Sequence, residues 1–251
     1  MEGPSIVILE EELKGRTLSK IDTWGKVLIL TFTHKTLPPI ITKNHFMMFG
    51  SYRINDPKEN RIPRIELTFK NGTVYFYSCS FKFVTEDYLE SLDRRVDVLA
   101  PEWDEDHVLK LFDKKKKTYL CDLFLDQNLF AGSGNIVKNE ALFNIRRHPL
   151  TKLEDVPKSD WPKLITDIHD YCYNFYFWKK EFQLRRHWQV YRQKYCPVCE
   201  AKLIKEKLGI GERSTFYCPN CQNEKSKKEK ITLYEVLPVE ESNEKEERLD
   251  H

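Results

Sequence analysis

"FAGSGNIVKNEALF", residues Phe130–Phe143, runs through two closely spaced glycines into a stretch of apolar residues at helical spacing. Glycine frees the backbone to turn tightly, and Ile136, Leu142 and Ile145 then recur on one face of a helix. A helix opening at this point presents unpaired backbone N–H groups and the positive end of its dipole, which together attract an anion. Gly134 lets the backbone approach a ligand closely, and Asn135 adds a side-chain amide able to hold a phosphate oxygen. Upstream, Leu123, Leu125 and Leu129 read as a first helix, so Asp122–Leu150 is predicted to be helix, Gly-rich turn, helix. Helical periodicity extends from about Asp104 to Tyr195, and the aromatic stripe in "DWPKLITDIHDYCYNFYFWKKEFQLRRHW" is expected to pack into a core.

Toward the C-terminus, Cys196, Cys199, Cys218 and Cys221 form C-x2-C-x18-C-x2-C with a Gly-containing turn between the pairs. Four thiolates at that spacing can close a tetrahedral shell around one zinc ion, leaving no open position for catalysis. Such an ion would be structural, holding a small hairpin unable to fold alone. A redox pair is the alternative. The other three cysteines, Cys79, Cys121 and Cys172, are scattered, which argues against a disulfide scaffold. Arg213, five residues before Cys218, is expected near the hairpin tip, projecting from a rigid support.

The first hundred residues read mainly as β-structure. "KVLILTFTH" (Lys26–His34), "MMFGSYRI" (Met47–Ile54) and "RIELTFKNGTVYFYS" (Arg64–Ser78) are rich in β-branched and aromatic residues. Lys70-Asn71-Gly72-Thr73 is a two-residue hairpin signal. A helix over roughly Pro4–Lys14 precedes them, with Pro4 suited to its first turn. The predicted class is α+β. An N-terminal helix and antiparallel β-sandwich span 1–100, a helical unit 101–190, a zinc finger 191–237 and an acidic disordered tail 238–251.

Length and composition agree. The chain has 251 residues and 32 aromatic ones (5 Trp, 12 Tyr, 15 Phe), enough for substantial cores. The longest apolar runs, such as Val27–Phe32, are of strand length, and the acidic opening "MEGPSIVILEEEL" differs from a basic signal segment. A cytoplasmic protein with no membrane association is expected. The formal charge of +2 conceals a division. Lys179–Lys230 carries 14 Lys/Arg against 6 Asp/Glu, while Glu235–Asp250 carries 7 acids against 2 bases. A basic block followed by an acidic end suits a polyanion-binding surface, although two solvated faces would produce the same balance.

Taken in order, "FAGSGNIVKNEALF", "HPL", "VYRQKYCPVC" and "ERSTFYCPNCQ" resemble the formamidopyrimidine-DNA glycosylase / endonuclease VIII family. The resemblance covers the whole chain and implies N-terminal helix and β-sandwich, helix–two-turn–helix and zinc finger. It further implies that Asn135 and Arg213 grip phosphates beside a lesion. Enzymes that excise a damaged base flip it out of the stack. In this family the nucleophile is the amine of an N-terminal proline, followed by Glu-Gly-Pro in the endonuclease VIII branch. Glu2-Gly3-Pro4 is present here, but Met1 occupies the proline's position. Glu2 is too large to favour methionine removal, so the primary amine of Met1, with a pKa near 8, is the expected nucleophile. Glu2 would protonate the sugar ring oxygen, and Lys26 matches the family's sandwich lysine, which contacts phosphate.

"NHFMMFG" (Asn44–Gly50) matches the family's His-led hairpin loop at His45. Met47, Met48 and Phe49 are the candidate wedge filling the void left by a flipped base, with Met48 the first choice by register; burial under the sheet is the alternative. "SCSFKF" (Ser78–Phe83) stands where many relatives carry an Arg-bearing loop that contacts the opposite base. No loop of the oxidised-purine-capping kind precedes the zinc finger. Oxidised pyrimidines, abasic sites, or open or single-stranded DNA are therefore favoured. The leading expectation is a monomeric glycosylase with abasic-site lyase activity on double-stranded DNA. The rivals are a catalytically lapsed binder of damaged or structured DNA and a zinc-ribbon nucleic-acid protein unrelated to repair.

Overall fold

Five antiparallel strands make up the N-terminal half: β1 (Thr17–Trp24), β2 (Val27–Thr33), β3 (Ile40–Ile54), β4 (Ile65–Phe69) and β5 (Gly72–Val84). The structure is a computed structural model in which residues 11–223 are described. The strands pair in the order β1-β2-β3-β5-β4, as one continuous sheet. The period-2 alternation assigns each apolar set to a face. Leu28, Leu30 and Phe32 share one face with Ile40, Phe46, Ile65, Leu67 and Phe76, forming a cluster that reaches across the sheet. Val27, Ile29 and Ile41 occupy the other face, covered by Trp24, Leu89 and Leu92. Both faces are thus buried. The first helix expected over Pro4–Lys14 lies largely outside the described residues; Glu11–Leu13 are helical, and Leu13 packs on the Leu30–Phe76 cluster.

Three features of this half go beyond or against the sequence reading. β1 carries no strand signal of its own, because "TLSKIDTW" is mostly polar, and its register is set by pairing with β2. "NHFMMFG" is not a hairpin loop but an interruption within β3. Phe46 pairs with Cys79 and Ser51 with Tyr77, so Met47–Gly50 oppose the single residue Ser78. A wide bulge of this kind expels its extra residues from the ladder. Phe49 and Ser78 take positive φ (63° and 47°) to close it, and a Cβ at position 50 would stand 2.7 Å from the Ser78 carbonyl oxygen. Finally, Ser78–Phe83 is no loop: it lies in β5, and Cys79–Phe83 pair with β3.

The remaining described chain holds helices α1 (Glu86–Glu90), α2 (Glu105–Phe112), α3 (Leu120–Leu123), α4 (Asn135–Asn144) and α5 (Trp161–Lys180), then a hairpin of β6 (Ile204–Leu208) and β7 (Arg213–Tyr217). Asp104 caps α2 by accepting from the His107 N–H at 2.9 Å, and Pro162 occupies the first turn of α5. Phe112, Leu120, Leu123, Phe130, Ala141, Leu142, Ile165 and Ile168 make the core between these helices.

The expected first helix of the helix–turn–helix shrinks to one turn, leaving Leu125 and Leu129 outside it. Local side chains compete for the backbone here. Ser133 Oγ donates to the Phe124 carbonyl at 2.6 Å, and Asp126 Oδ1 accepts from the Asn128 N–H at 2.9 Å. The aromatic stripe of α5 is only partly core. Tyr171 is buried, whereas Tyr173, Tyr176 and Phe177 are exposed, as is Phe182 just beyond the helix.

The β1–β2 turn docks the sheet onto the helices. Arg94 Nη2 donates to Asp22 Oδ2 at 2.6 Å, Trp24 Nε1 to the Asp93 carbonyl at 3.0 Å, and the Gly25 N–H to Asp97 Oδ2 at 2.8 Å. Gly25 has φ +53°, and a Cβ there would lie 2.8 Å from the Gly132 nitrogen. Gly15 also has positive φ (+76°) but open space around it. Gly25→Ala should therefore cost about 1–2 kcal/mol of left-handed strain plus the displacement of Gly132, and Gly15→Ala the strain alone. Urea unfolding of both variants checks this; equal losses would deny that the turn is closely docked.

Candidate nucleic-acid interface and metal centre

The docked turn leaves a cavity of about 830 Å³ between sheet and helices, walled by Lys26, Gly134, Asn135, Val98, Cys172 and Tyr176 among others. The N-terminus of α4 opens into it. Gly134 is the N-cap and supplies no capping side chain, so the first N–H groups of α4 have no partner within the helix. Lys26 approaches the same point: a Cβ on Gly134 would stand 3.5 Å from Lys26 Nζ. The residue as a whole is exposed, but its ammonium sits among the cavity walls. Lost hydration lowers its pKa first, and the positive charge of Arg213 lowers it further, with Cys172 acting in the opposite direction.

Arg213 opens β7 and is exposed. Its support is the turn between β6 and β7, where the Ile210 N–H donates to both carboxylate oxygens of Asp122 at 3.0 Å. β7 itself is held by α4. Asn135 Nδ2 donates to the Ser214 carbonyl at 2.9 Å, Lys138 Nζ to Thr215 Oγ1 at 2.7 Å, and the Phe216 N–H to Asn139 Oδ1 at 2.8 Å. The Asn135 side-chain amide expected to hold a phosphate is thus engaged with Ser214, while its Oδ1 is buried without a hydrogen-bond partner. Glu140 faces the other way and accepts the N–H groups of Gln189, Val190 and Tyr191 at 2.9, 3.1 and 2.7 Å.

Lys138, Asn139, Glu140 and Asp122 were not singled out from sequence. The signal was present: Lys138-Asn139-Glu140 interrupts an apolar helix, and all three are fully buried. Lys138 forms no ion pair among the described residues, and burial lowers its pKa to about 8; Arg213 adds to this, against Cys121 and Asp122.

The sequence candidates gather unevenly. Lys26, Gly134 and Asn135 line the cavity, and Arg213 lies near enough for its charge to lower the Lys26 pKa. Met47, Met48 and Phe49 are 58%, 72% and 81% exposed, which removes the alternative that they are buried under the sheet. His45 is half-buried in β3 opposite Val27, the neighbour of Lys26, and its carbonyl accepts from Ser80 Oγ at 3.5 Å. Met1 and Glu2 lie outside the described residues.

The ligand sulfurs of Cys196, Cys199, Cys218 and Cys221 all lie within 4.8 Å of one another, with Cys196–Cys221 at 3.8 Å and Cys199–Cys218 at 3.4 Å. A tetrahedral zinc site with bonds of about 2.3 Å has sulfur–sulfur edges of about 3.8 Å, so the cluster fits zinc. Backbone N–H groups of Val198 and Cys221 point at Cys196 and Cys218 sulfurs, both at 3.4 Å, as negative thiolates require. The cluster packs on Phe143, Val190 and Phe216, tying the metal centre to α4.

The Formamidopyrimidine-DNA glycosylase N-terminal domain model matches residues 3–85, and the model of a zinc finger found in FPG and IleRS matches residues 194–223. The human protein Endonuclease 8-like 3 is 30% identical over 220 residues, covering 84% of this chain and 35% of its own length. The chain therefore spans about a third of that relative. Among solved structures, the Lactococcus lactis formamidopyrimidine-DNA glycosylase bound to DNA containing an AP site superposes with a TM-score of 0.74 at 23% identity, covering 87% of this chain and 86% of that one. A viral DNA glycosylase superposes with a TM-score of 0.68 at 21% identity, covering 88% of this chain and all of that one. At these identities the superpositions speak for the fold. With both models matching in order at the two ends, the chain belongs to the formamidopyrimidine-DNA glycosylase / endonuclease VIII superfamily.

Two outcomes follow from this geometry. Between pH about 8 and the ordinary lysine value of 10.5, the folded protein holds fewer protons at Lys138 than the unfolded chain. Stability contributed by this group is then lost as pH falls through about 8 and gained as pH rises. Urea unfolding across that range should show a rise that Lys138→Met removes. Elemental analysis should find one zinc per chain, and its removal by a chelator should strip hydrogen-exchange protection from β6 and β7 while the core of α2 and α5 stays protected.

Proposed function

We propose that the protein is an endonuclease VIII-like DNA glycosylase with abasic-site lyase activity, acting on double-stranded DNA that carries an oxidised pyrimidine or an abasic site. The observation that carries this reading is that Lys26 stands over the uncapped N-terminus of α4 in the cavity, with Arg213 near enough for its charge to act on it. Lost hydration first, and then the charge of Arg213, lower the Lys26 pKa, as expected where cations gather for an anion. DNA phosphate is the anion that the superfamily suggests, and the L. lactis glycosylase is described as bound to DNA containing an AP site. The exposed Met47–Phe49 bulge supplies apolar side chains able to enter an opened base stack.

In the proposed chemistry the Met1 amine attacks the sugar C1′ as the bond to the damaged base breaks, and the departing base takes up a proton. Loss of a proton from nitrogen and opening of the sugar ring, with Glu2 protonating the ring oxygen, then leave a Schiff base. Lys26 would hold the adjacent phosphate. A zinc ion held by Cys196, Cys199, Cys218 and Cys221 would supply rigidity, fixing the hairpin that carries Arg213. We assign the sheet half to chemistry, the helical half and the hairpin to grip, and the working form to a monomer.

The second reading, a binder without excision, is favoured by Ser78–Phe83 lying within a paired strand and by Met1 at the position of the family's proline. Borohydride trapping on DNA with a single abasic site, followed by mass spectrometry, separates the two. Glycosylase–lyase chemistry predicts a covalent adduct on the Met1 peptide. An adduct on a lysine would reassign the nucleophile. No adduct from zinc-loaded protein that binds the DNA would establish the binder.

A further inference from the structure

The face of the cysteine hairpin turned away from Lys138 carries a second concavity, about 730 Å³, that shares no residue with the first. Arg192, Lys194, Lys202 and Lys205 line it together with Tyr195 and Phe216, and no acid does. All four cations are exposed, and none forms an ion pair among the described residues. Surfaces ordinarily intersperse both signs, so four unopposed cations around one hollow stand out.

The backbone beneath them is tightly held. Tyr195 bridges Lys202, the Leu203 N–H donates to the Lys194 carbonyl at 3.0 Å, and the Cys196 N–H donates to the Ala201 carbonyl at 2.9 Å. Lys205 Nζ lies 5.8 Å from the centre of the Phe216 ring, and the Arg192 guanidinium 5.5 Å from that of Tyr191. Alternation along β7 separates its two faces: Thr215 turns to Lys138, whereas Phe216 lines the basic hollow.

We propose that this hollow is a second nucleic-acid contact, which takes the phosphodiester backbone of a DNA segment outside the one held at the cavity. Its ligand class rests on the proposed function; the hollow itself does not. Charge complementarity selects a polyanion. Tyr195, 65% exposed between the cations, offers a ring on which a base can stack, which selects a nucleic acid over an acidic peptide. Arg213 begins β7 and Phe216 lies three residues on, about 10 Å at the rise of an extended strand. The hairpin thus stands between two DNA segments, gripping one with its tip and the other with its reverse face. A branched or opened substrate presents two such segments to one protein.

The test compares zinc-loaded full chains on two DNAs: a short abasic duplex, and the same duplex extended into a fork. Lys194→Glu/Lys202→Glu/Lys205→Glu should bind the short duplex within about twofold of the parent but the fork at least about tenfold more weakly. Its salt slope on the fork should fall by about 3, roughly one per lost phosphate contact. The corresponding triple Gln variant should show the same pattern at smaller amplitude, which excludes a folding defect peculiar to charge reversal. Equal losses on both DNAs, or none on either, would overturn the second contact. Arg213→Ala separates this result from the main reading, because it should weaken the short duplex. If it does not, while the triple variant still loses the fork, the cavity assignment fails and the second contact stands.

Discussion

Everything at the candidate site depends on one helix that buries its polar residues. Lys138, Asn139 and Glu140 are fully enclosed, yet each is used: Lys138 and Asn139 tie α4 to β7, and Glu140 gathers three successive backbone N–H groups from Gln189 to Tyr191. A buried polar group left unpaired costs more than a pair contributes, so such contacts specify one arrangement. Here that arrangement sets the cysteine hairpin on the helix and brings Arg213 within electrostatic reach of Lys26. Lys138 forms no ion pair among the described residues, and its lowered pKa records the cost.

The same economy recurs at the other wall of the cavity. The β1–β2 turn meets the Gly-rich turn backbone to backbone, and a side chain at Gly25 has no room. Asp97, buried, caps that approach by accepting from both Gly25 and Leu99 N–H groups. Sheet, α4 and hairpin therefore meet within a few residues of Gly134. The cavity lies beside this meeting point, between the β1–β2 turn, the start of α4 and the Cys172–Tyr176 stretch of α5.

Much of the architecture was legible beforehand where one local signal decided it. The Lys70–Asn71 turn, the alternating runs of β2 and β5 and the cysteine spacing each carry their meaning within a few residues. Legibility ended where distant partners decide. β1 is polar and forms because β2 offers it a ladder. The Met47–Phe49 bulge depends on a single opposing residue in β5, thirty positions away. The exposed rings of α5 share the spacing of its core residues, and only the packing of neighbouring elements distinguishes Tyr171 from Tyr173.

For the site, sequence alone determined the kinds of group available: a glycine-bearing helix start, four thiolates at zinc spacing, a lysine at a turn and an arginine near a hairpin tip. These are local facts of covalent order, and spacing along the chain suffices to read them. Tertiary structure decided what those groups touch. It turned the Asn135 amide toward Ser214, buried Lys138 against Thr215, and placed Arg192, Lys194, Lys202 and Lys205 around a separate hollow. The physical reason is that charge and hydrogen bonding act through space, and only folding brings Arg213 close enough to Lys26 and Lys138 for its charge to lower their pKa values.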